Sequence, residues 1–362
     1  MEYLTLQIEP LDTLFFKDGK PFAMGDDSWA DGVFPPAPSV IYGALRSWIL
    51  ANNKSITIEN VEKETSDLEI HDIYYLVNGN TVLPLPMDYG EKKGKDNQEQ
   101  YDENKGNIKK VERFSLKNIP SVTSVPQKTV LYNKNENDYI LEQPKNAFIT
   151  KADFIEYLKN ENKSAQKITA QTVNNDVESK IGIKRTNETL NSEDGNLYRV
   201  GMNRFTNLKF VVRAQSKYLA NNFDKFLKLG GEGKIVVVDE YLTTKMGAKE
   251  LKIKTDLTSK NLLLYLATPA IFENEIPDLE KHLGLKGKLI ASSIGKAVNI
   301  GGFDMKAKQP KIMYKAVPAG SVYFFELENE FEIDKLQGKK ISDKLGIEGF
   351  GIAYFGTYNV KK

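Results

Sequence analysis

Two stretches of this 362-residue chain follow one local plan. Residues 223–238 read FDKFLKLGGEGKIVVV and residues 342–355 read SDKLGIEGFGIAYF. Each is read as a helix end, a Lys-Leu-Gly triplet (228–230 and 344–346), a glycine-rich turn and an apolar strand. Glycine just past a helix suits a C-cap, because a positive φ costs it nothing. A chain that closes twice in the same way is expected to hold two domains of related plan, each ending on its last helix and last strand.

The remaining elements extend that expectation. Leu4, Leu6 and Ile8 alternate over 3–9 and predict a strand. Ser39 is the expected N-cap of a helix to about Asn52, whose apolar stripe is Val40, Ile41, Ala44, Leu45, Trp48 and Ile49. Asn78-Gly79 predicts a hairpin inside IYYLVNGNTVLPLP, since both turn positions need positive φ. A short helix is expected over 150–158, a strand over 197–212, a helix over 221–229 and a strand over 234–240. The second half gives strands at 262–269, 287–293, 320–326 and 350–358, with helices near 276–283 and 333–345. Both halves fit β-α-β-β-α-β, the ferredoxin-like arrangement shared with RNA-recognition modules. The expected class is α+β with two such domains, 1–242 and 243–362, meeting near Leu242. Two polar segments, 91–112 and 160–195, read as insertions in the first domain; the former lacks the apolar side chains to offset its ordering entropy.

Composition removes several kinds of chemistry. There is no cysteine, which excludes disulfides, thiolate zinc sites, iron–sulfur clusters and a cysteine nucleophile. Only His71 and His282 are present, too few for a multi-histidine metal centre. No apolar run reaches the roughly 18 residues of a membrane span, and the opening MEYLTLQIEP alternates as a strand does; a globular cytoplasmic protein is expected.

The net charge of +1, from 50 basic and 49 acidic residues, conceals local imbalance. The arginines are Arg46, Arg113, Arg185, Arg199, Arg204 and Arg213, four of them between 185 and 213; every other basic residue is lysine. Residues 195–217 carry +5 with no acid, and 286–315 carry seven lysines against Asp304. Residues 59–72 are acidic, with Lys63 against six carboxylates. Two basic stretches on a neutral chain can hold a polyanion along one surface, or can simply be solvated lysine faces.

Seven blocks, in order along the chain, carry a family resemblance. They are LDTLFFKDGKPF…DSWA…FPPAPSVIYGALRS (11–47), VLPLPMD (82–88), AFITKADFIEYL (147–158), IGIKRTNETLNSEDGNLYRV (181–200), LKLGGEGKIVVVDE (227–240), GGFDMKAKQPKIMYKAVPAGSVYFFE (301–326) and GFGIAYFG (349–356). Together they resemble the third-subunit family of the Cmr effectors, the type III-B CRISPR ribonucleoproteins, within the RAMP superfamily. The resemblance implies two ferredoxin-like domains, each with a glycine-rich loop before its last strand. It also implies a non-catalytic scaffold without cofactor or membrane contact, acting in antiviral defence. Such subunits grip the 5′ repeat-derived tag of the crRNA, dock on the large polymerase-like subunit and the first backbone RAMP subunit, and meet target RNA only indirectly.

Several groups of residues could supply the RNA contact. Gly230, Gly231 and Gly233, flanked by Lys228 and Lys234, and Gly346, Gly349, Gly351 and Gly356 form turns whose amides can approach a phosphate, or plain helix caps. The island KIGIKRT places Lys180, Ile181, Ile183, Lys184, Arg185 and Thr186 in a polar segment. An extended hairpin with apolar and basic edges suits wedging between bases, and in related RAMP subunits this position carries a thumb-like hairpin; the alternative is an edge strand packing its isoleucines inward. Arg204 belongs to the basic stretch that follows. Lys17 and Lys20 bracket Asp18-Gly19 among Phe15, Phe16, Phe22 and Trp29, a pattern that suits base stacking or a packed loop, with Ser39, Tyr42 and Arg46 nearby in sequence. Lys296, Lys306, Lys308 and Lys311 surround Gly301-Gly302, as a second phosphate track or as a surface for an acidic partner.

An enzymatic alternative also exists. Some RAMP relatives cut RNA without metal, using histidine as general base. Here His71 follows an acidic run and His282 adjoins Lys281, and both read as surface histidines. Asp26, Asp27 and Asp31 could hold Mg²⁺ or serve turn geometry. A free-standing RNA-binding module is disfavoured by the near-zero net charge.

Overall fold

The fold is taken from a computed structural model. It describes residues 3–17, 29–30, 32–94, 108–118, 129–133, 139–160, 167–173, 175–185, 192–219, 225–243, 251–304 and 306–360. The chain is a strand-rich α+β protein with few helices. Its internal contacts divide it into two units that alternate along the sequence: 1–70, 174–248 and 298–315 form one, and 71–173, 249–297 and 316–362 the other.

The first unit is organised by Leu4–Pro10, whose alternating Leu4, Leu6 and Ile8 are buried. Leu208–Gln215 pairs antiparallel on one side (Leu6↔Val212, Ile8↔Phe210) and Ile235–Thr243 on the other (Ile8↔Val238). Phe226–Lys228 completes the order at the outer edge of Ile235–Thr243. The helix Pro38–Asn52 buries Ile41, Tyr42, Ala44, Leu45, Trp48 and Ile49 and packs against Phe226–Lys228. Each of Ile41, Leu45 and Ile49 contributes roughly 1.5–3 kcal/mol by leaving water. This helix starts one residue before the expected cap: Ala37 is the N-cap and Pro38 takes the first turn, where its missing N–H costs nothing. The acidic connection that follows is put to structural use, since Asp67 accepts from the Lys217 amide at 2.6 Å and Glu64 from the Tyr218 hydroxyl at 2.8 Å.

Two expectations in this unit are corrected. Of the helix expected over 221–229, the described part is the strand Phe226–Lys228, because Leu227 turns into the core while its neighbours stay exposed, a period of two. The single strand expected over 197–212 is two, Ser192–Phe205 and Leu208–Gln215, separated at Asn207, which adopts φ +54.

The second unit holds a five-stranded antiparallel sheet in the order Gly287–Ser293, Val322–Glu332, Thr258–Leu266, Ile352–Gly356 and Lys339–Lys340. Leu262, Leu264, Leu266, Tyr323, Phe325, Leu327 and Phe355 build its core with Leu279 of the helix Leu279–Leu283. That helix is as expected, N-capped by Asp278 and ended by Gly284 at φ +68. A further series of strands runs Asn80–Pro84, Ala147–Thr150, Lys167–Thr172, Ile108–Arg113, Tyr89–Gly94, Tyr139–Glu142. The expected hairpin turn is present, with Asn78 at φ +50 and Gly79 at φ +79. Thr150 caps the helix Lys151–Lys159, which buries Phe154, Tyr157 and Leu158, and Leu158 backbone occupies the space a Cβ at Gly356 would need.

Here too the sequence expectation is corrected. The helix predicted over 333–345 is a 3₁₀ turn, Ile333–Leu336, followed by the strand Lys339–Lys340. Gly338 and Ile341 donate their amides to Ala353 and Gly351, so the segment bonds to the closing strand instead of to itself. Leu345, not a glycine, takes the left-handed conformation, at φ +58. In neither half does Lys-Leu-Gly cap a helix. The polar segment 91–112 contributes strand at both ends, while 95–107 lies outside the described residues.

Candidate nucleic-acid interface

The basic stretch of the sequence becomes a long antiparallel ribbon in the first unit. Asn175–Arg185 pairs with Ser192–Phe205 from Asn175↔Phe205 to Ile183↔Leu197, then Arg185↔Ser192 beyond a register shift. Trp29–Ala30 adds a short parallel strand against Arg199 and Val200. The alternation of a strand sorts the side chains onto two faces. Val177 and Ile181 share one face and are 56% and 70% exposed. Opposite Ile181 stands Arg199, whose guanidinium donates to the Ser179 hydroxyl at 2.6 Å. On the other face Val200 and Met202 are buried with Phe15 and Ala30. An isoleucine left in water can wedge between bases, and the guanidinium beside it can stack on a base or grip phosphate.

The root of the ribbon is fixed by backbone and charge together. Leu14 and Asn203 exchange both amide bonds at 2.8 Å, and Lys17 bridges Gly32. The Gly231 amide donates to Phe15 O at 2.8 Å. Gly230 stands at φ +80, and a Cβ there would lie 2.5 Å from the same oxygen. Asp12 accepts from Lys234 Nζ at 2.6 Å and from Arg204 Nη2 at 3.4 Å. Arg204 also pairs through Nε and Nη2 with Glu178, and Lys180 Nζ reaches Glu232 at 3.4 Å. Hydrogen bonds from Lys234 and from the Thr13 amide hold the Asp12 carboxyl below its usual range, and the bond from Arg204 does the same for Glu178. These pairs are exposed or half-buried, where water and salt compete with them, so a phosphate can exchange for a carboxylate.

Of the residues singled out in the sequence, Lys17, Lys180, Arg204, Gly230, Gly231 and Lys234 therefore come together around this root. Gly233 follows in the same turn at φ +63, with open space where a Cβ would sit. Ile183, Lys184 and Arg185 continue the ribbon strand, while Thr186 and Lys20 lie outside the described residues, as do Phe22, Asp26, Asp27 and Asp31. Phe15 and Phe16, expected as possible stacking platforms, are buried. Arg46 sits apart on Pro38–Asn52, donating to the Tyr42 hydroxyl at 3.0 Å with its guanidinium over that ring. Lys306 and Lys308 are exposed on a separate hairpin of this unit, and Lys296 is exposed in the second unit.

Gly349 and Gly351 belong to the second unit and are buried. Their amides donate to Gly346 O and Pro269 O, and Gly349 O accepts from the Thr268 hydroxyl. The physical reason is the closing strand: both glycines, at φ +95 and +72, turn the chain into Ile352–Gly356.

The histidines differ from expectation. His282 is nearly buried, its Nε2 bonded at 3.0 Å to Asp343 Oδ1, which also takes Lys281 Nζ at 2.6 Å. His71 is half-buried in the strand Glu69–Val77. No group of three or more potential metal ligands occurs among the described residues, and no described helix is long and apolar enough to cross a membrane.

Sequence reasoning missed the acidic half of the root, Asp12, Glu178 and Glu232. It also missed Asn203, whose buried amide has neither polar atom bonded and lies where Gly32 leaves room. All four depend on cross-strand neighbours that local spacing does not report.

A strand-rich α+β chain with an exposed, charge-rooted ribbon is what these elements define. The family described as CRISPR-associated protein (Cas_Cmr3) matches residues 6–358, and the chain belongs to that family. The resemblance to the third Cmr subunit is borne out. No curated protein matches it in sequence. Among solved structures it is similar to a chain of the type III-B Cmr-beta complex bound to cognate target RNA and AMPPnP (17% identity, 89% of this chain and 86% of that one, TM-score 0.47). The same complex with cognate target RNA gives 18% identity over 88% and 86%, TM-score 0.47. A chain of the Csm3-Csm4 subcomplex of the type III-A interference complex gives 12% identity over 91% and 94%, TM-score 0.34.

Proposed function

We propose that this chain is a non-catalytic crRNA-binding subunit of a type III-B effector, acting in the cytoplasm. In this reading it grips the 5′ repeat-derived tag of the guide, docks on the large polymerase-like subunit and the first backbone subunit, and meets target RNA through the guide. Membership in the family supports the assembly. The observation that carries the RNA contact is the ribbon face on which Ile181 is 70% exposed beside Arg199, above a root of exchangeable ion pairs. Ile181 and Ile183 wedge at the bases, while Lys17, Lys20, Lys180, Lys184, Arg185, Arg199 and Arg204 follow the backbone. Gly233 and Lys234 close the phosphate path, and Gly230 and Gly231 hold the turn against Phe15.

The same reading divides the chain into two ferredoxin-like domains, 1–242 and 243–362. Its support is strand order. In that plan the first and third strands lie side by side, with the fourth beside the first and the second beside the third. Thr258–Leu266, Gly287–Ser293, Val322–Glu332 and Ile352–Gly356 stand in that order, all antiparallel. Leu4–Pro10 lies between Ile235–Thr243 and Leu208–Gln215, as strand one lies between four and three.

The test is the Ile181→Asp, Arg199→Glu double variant in an effector reconstituted with crRNA carrying a photoreactive base in its 5′ tag. Both side chains are exposed, so folding should survive. We expect crosslinking to the ribbon to fall about tenfold, the change that a lost contact worth about 1.4 kcal/mol produces. Undiminished crosslinking and target pairing would remove the ribbon from the RNA path.

A further inference from the structure

We propose that the hairpin formed by Phe303–Asp304 and Gln309–Pro310 is a docking arm for another protein subunit of the assembly, one that presents an apolar groove rimmed by carboxylates. This rests on the reading of the chain as an effector subunit and deepens it by choosing between the two roles the sequence left open for these lysines.

The pairing Phe303↔Pro310, continued by Lys311 N donating to Gly302 O at 2.9 Å, fixes which side chains share a face. Phe303 and Pro310 stand opposite each other on one side of the ribbon, and Ile312 follows two residues beyond Pro310, past the end of the strand. Phe303 is 55% exposed and Ile312 73%, the most exposed large apolar side chain among the described residues; Met313 beside it is 48% exposed. A two-stranded ribbon whose apolar side chains are this exposed among the described residues marks a contact surface.

Charge and rigidity narrow the partner. Lys308 and Lys311 make no ion pair among the described residues, and the ammonium of Lys306 reaches the Glu59 carbonyl at 3.3 Å. The tip is preformed, because Asp304 Oδ1 accepts from the amides of Lys306 and Ala307, both at 2.9 Å. A preformed arm loses little freedom on docking. Lys306 and Lys308 at the tip of the hairpin, next to its apolar face, call for carboxylates beside an apolar groove, while Lys311 lies on the opposite face with Gly302. This face also differs from the ribbon, where Ile181 stands beside Arg199: residues 301–315 hold no arginine, and Phe303, Ile312 and Met313 give a run of exposed apolar side chains of the kind a protein groove buries.

The experiment uses the full chain, wild type, Ile312→Asp or Phe303→Ser, co-expressed with the other subunits of its effector and crRNA. Incorporation is read by gel filtration and native mass spectrometry. Circular dichroism melting checks that each variant folds, and crRNA crosslinking to the isolated chain runs in parallel. We expect incorporation to fall at least tenfold in both variants, unchanged melting and unchanged crosslinking. Lys308→Glu should likewise weaken incorporation, and added salt should weaken wild-type incorporation. If wild type assembles and both apolar variants assemble equally, the docking arm is wrong while the subunit reading stands. Loss of crosslinking with intact assembly assigns the hairpin to RNA instead. Wild type that fails to assemble at all overturns both.

Discussion

Arg113 Nε lies 2.7 Å from Asp88 Oδ2 in the second unit, with the carboxylate wholly shielded from water. The same carboxylate accepts from the Tyr157 hydroxyl at 2.9 Å, and the guanidinium lies over that ring, 4.2 Å from its centroid. Burial alone would disfavour the arginine's charge, and Asp88 reverses this, so the guanidinium stays protonated. Removing one member of such a pair leaves the other charge buried and alone. Asp88→Ala should therefore cost about 3–5 kcal/mol, read as a lower urea midpoint of the full chain. An unchanged midpoint would mean that the surroundings relax enough to hydrate Arg113.

Gly230 is required by space as well as by backbone angle. A Cβ there would press on Phe15 O while φ is +80, a region that costs other residues about 1–2 kcal/mol before any clash. Gly230→Ala should lower the melting temperature, whereas Gly233→Ala, which meets open space, should lower it less. Equal losses for the two would show that the contact with Phe15 contributes nothing.

Asp343 sets an acid limit on the second unit. Burial would raise its pKa, but the hydrogen bonds from Lys281 and the Glu273 amide, with the charges of His282 and Lys281, hold it below the usual carboxylate range. A carboxyl depressed in the folded state stabilises the fold above its unfolded pKa, near 3.9, and loses that contribution as pH falls through the folded value. Unfolding free energy measured from about pH 5 downward should fall with acid in the wild type. Asp343→Asn should show a shallower dependence over that range; an identical slope would locate the acid sensitivity elsewhere.

Much of this was legible in local sequence. The stripe Ile41, Leu45, Trp48 and Ile49 fixed its helix, and Asn78-Gly79 fixed its hairpin, because each signal lies within a few residues. The two closing helices were misread for one shared reason. Lys-Leu-Gly resembles a helix end, yet Leu227 alternates with exposed neighbours and Ile341 bonds to Gly351, and both facts involve strands distant in sequence. The ribbon's basic side was visible as composition, but Asp12 and Glu178 join Arg204 only through tertiary pairing.

The order in which the strands arrive has a further consequence during synthesis. Leu4–Pro10 finds its partners in Leu208–Gln215 and Ile235–Thr243, made roughly two hundred residues later. At about 5–20 residues per second, the ribosome leaves that apolar segment without either neighbour for about 10–40 s. Throughout that interval its unpaired edge is open to chaperones or to another nascent copy, so slow translation before residue 208 should favour aggregation over yield.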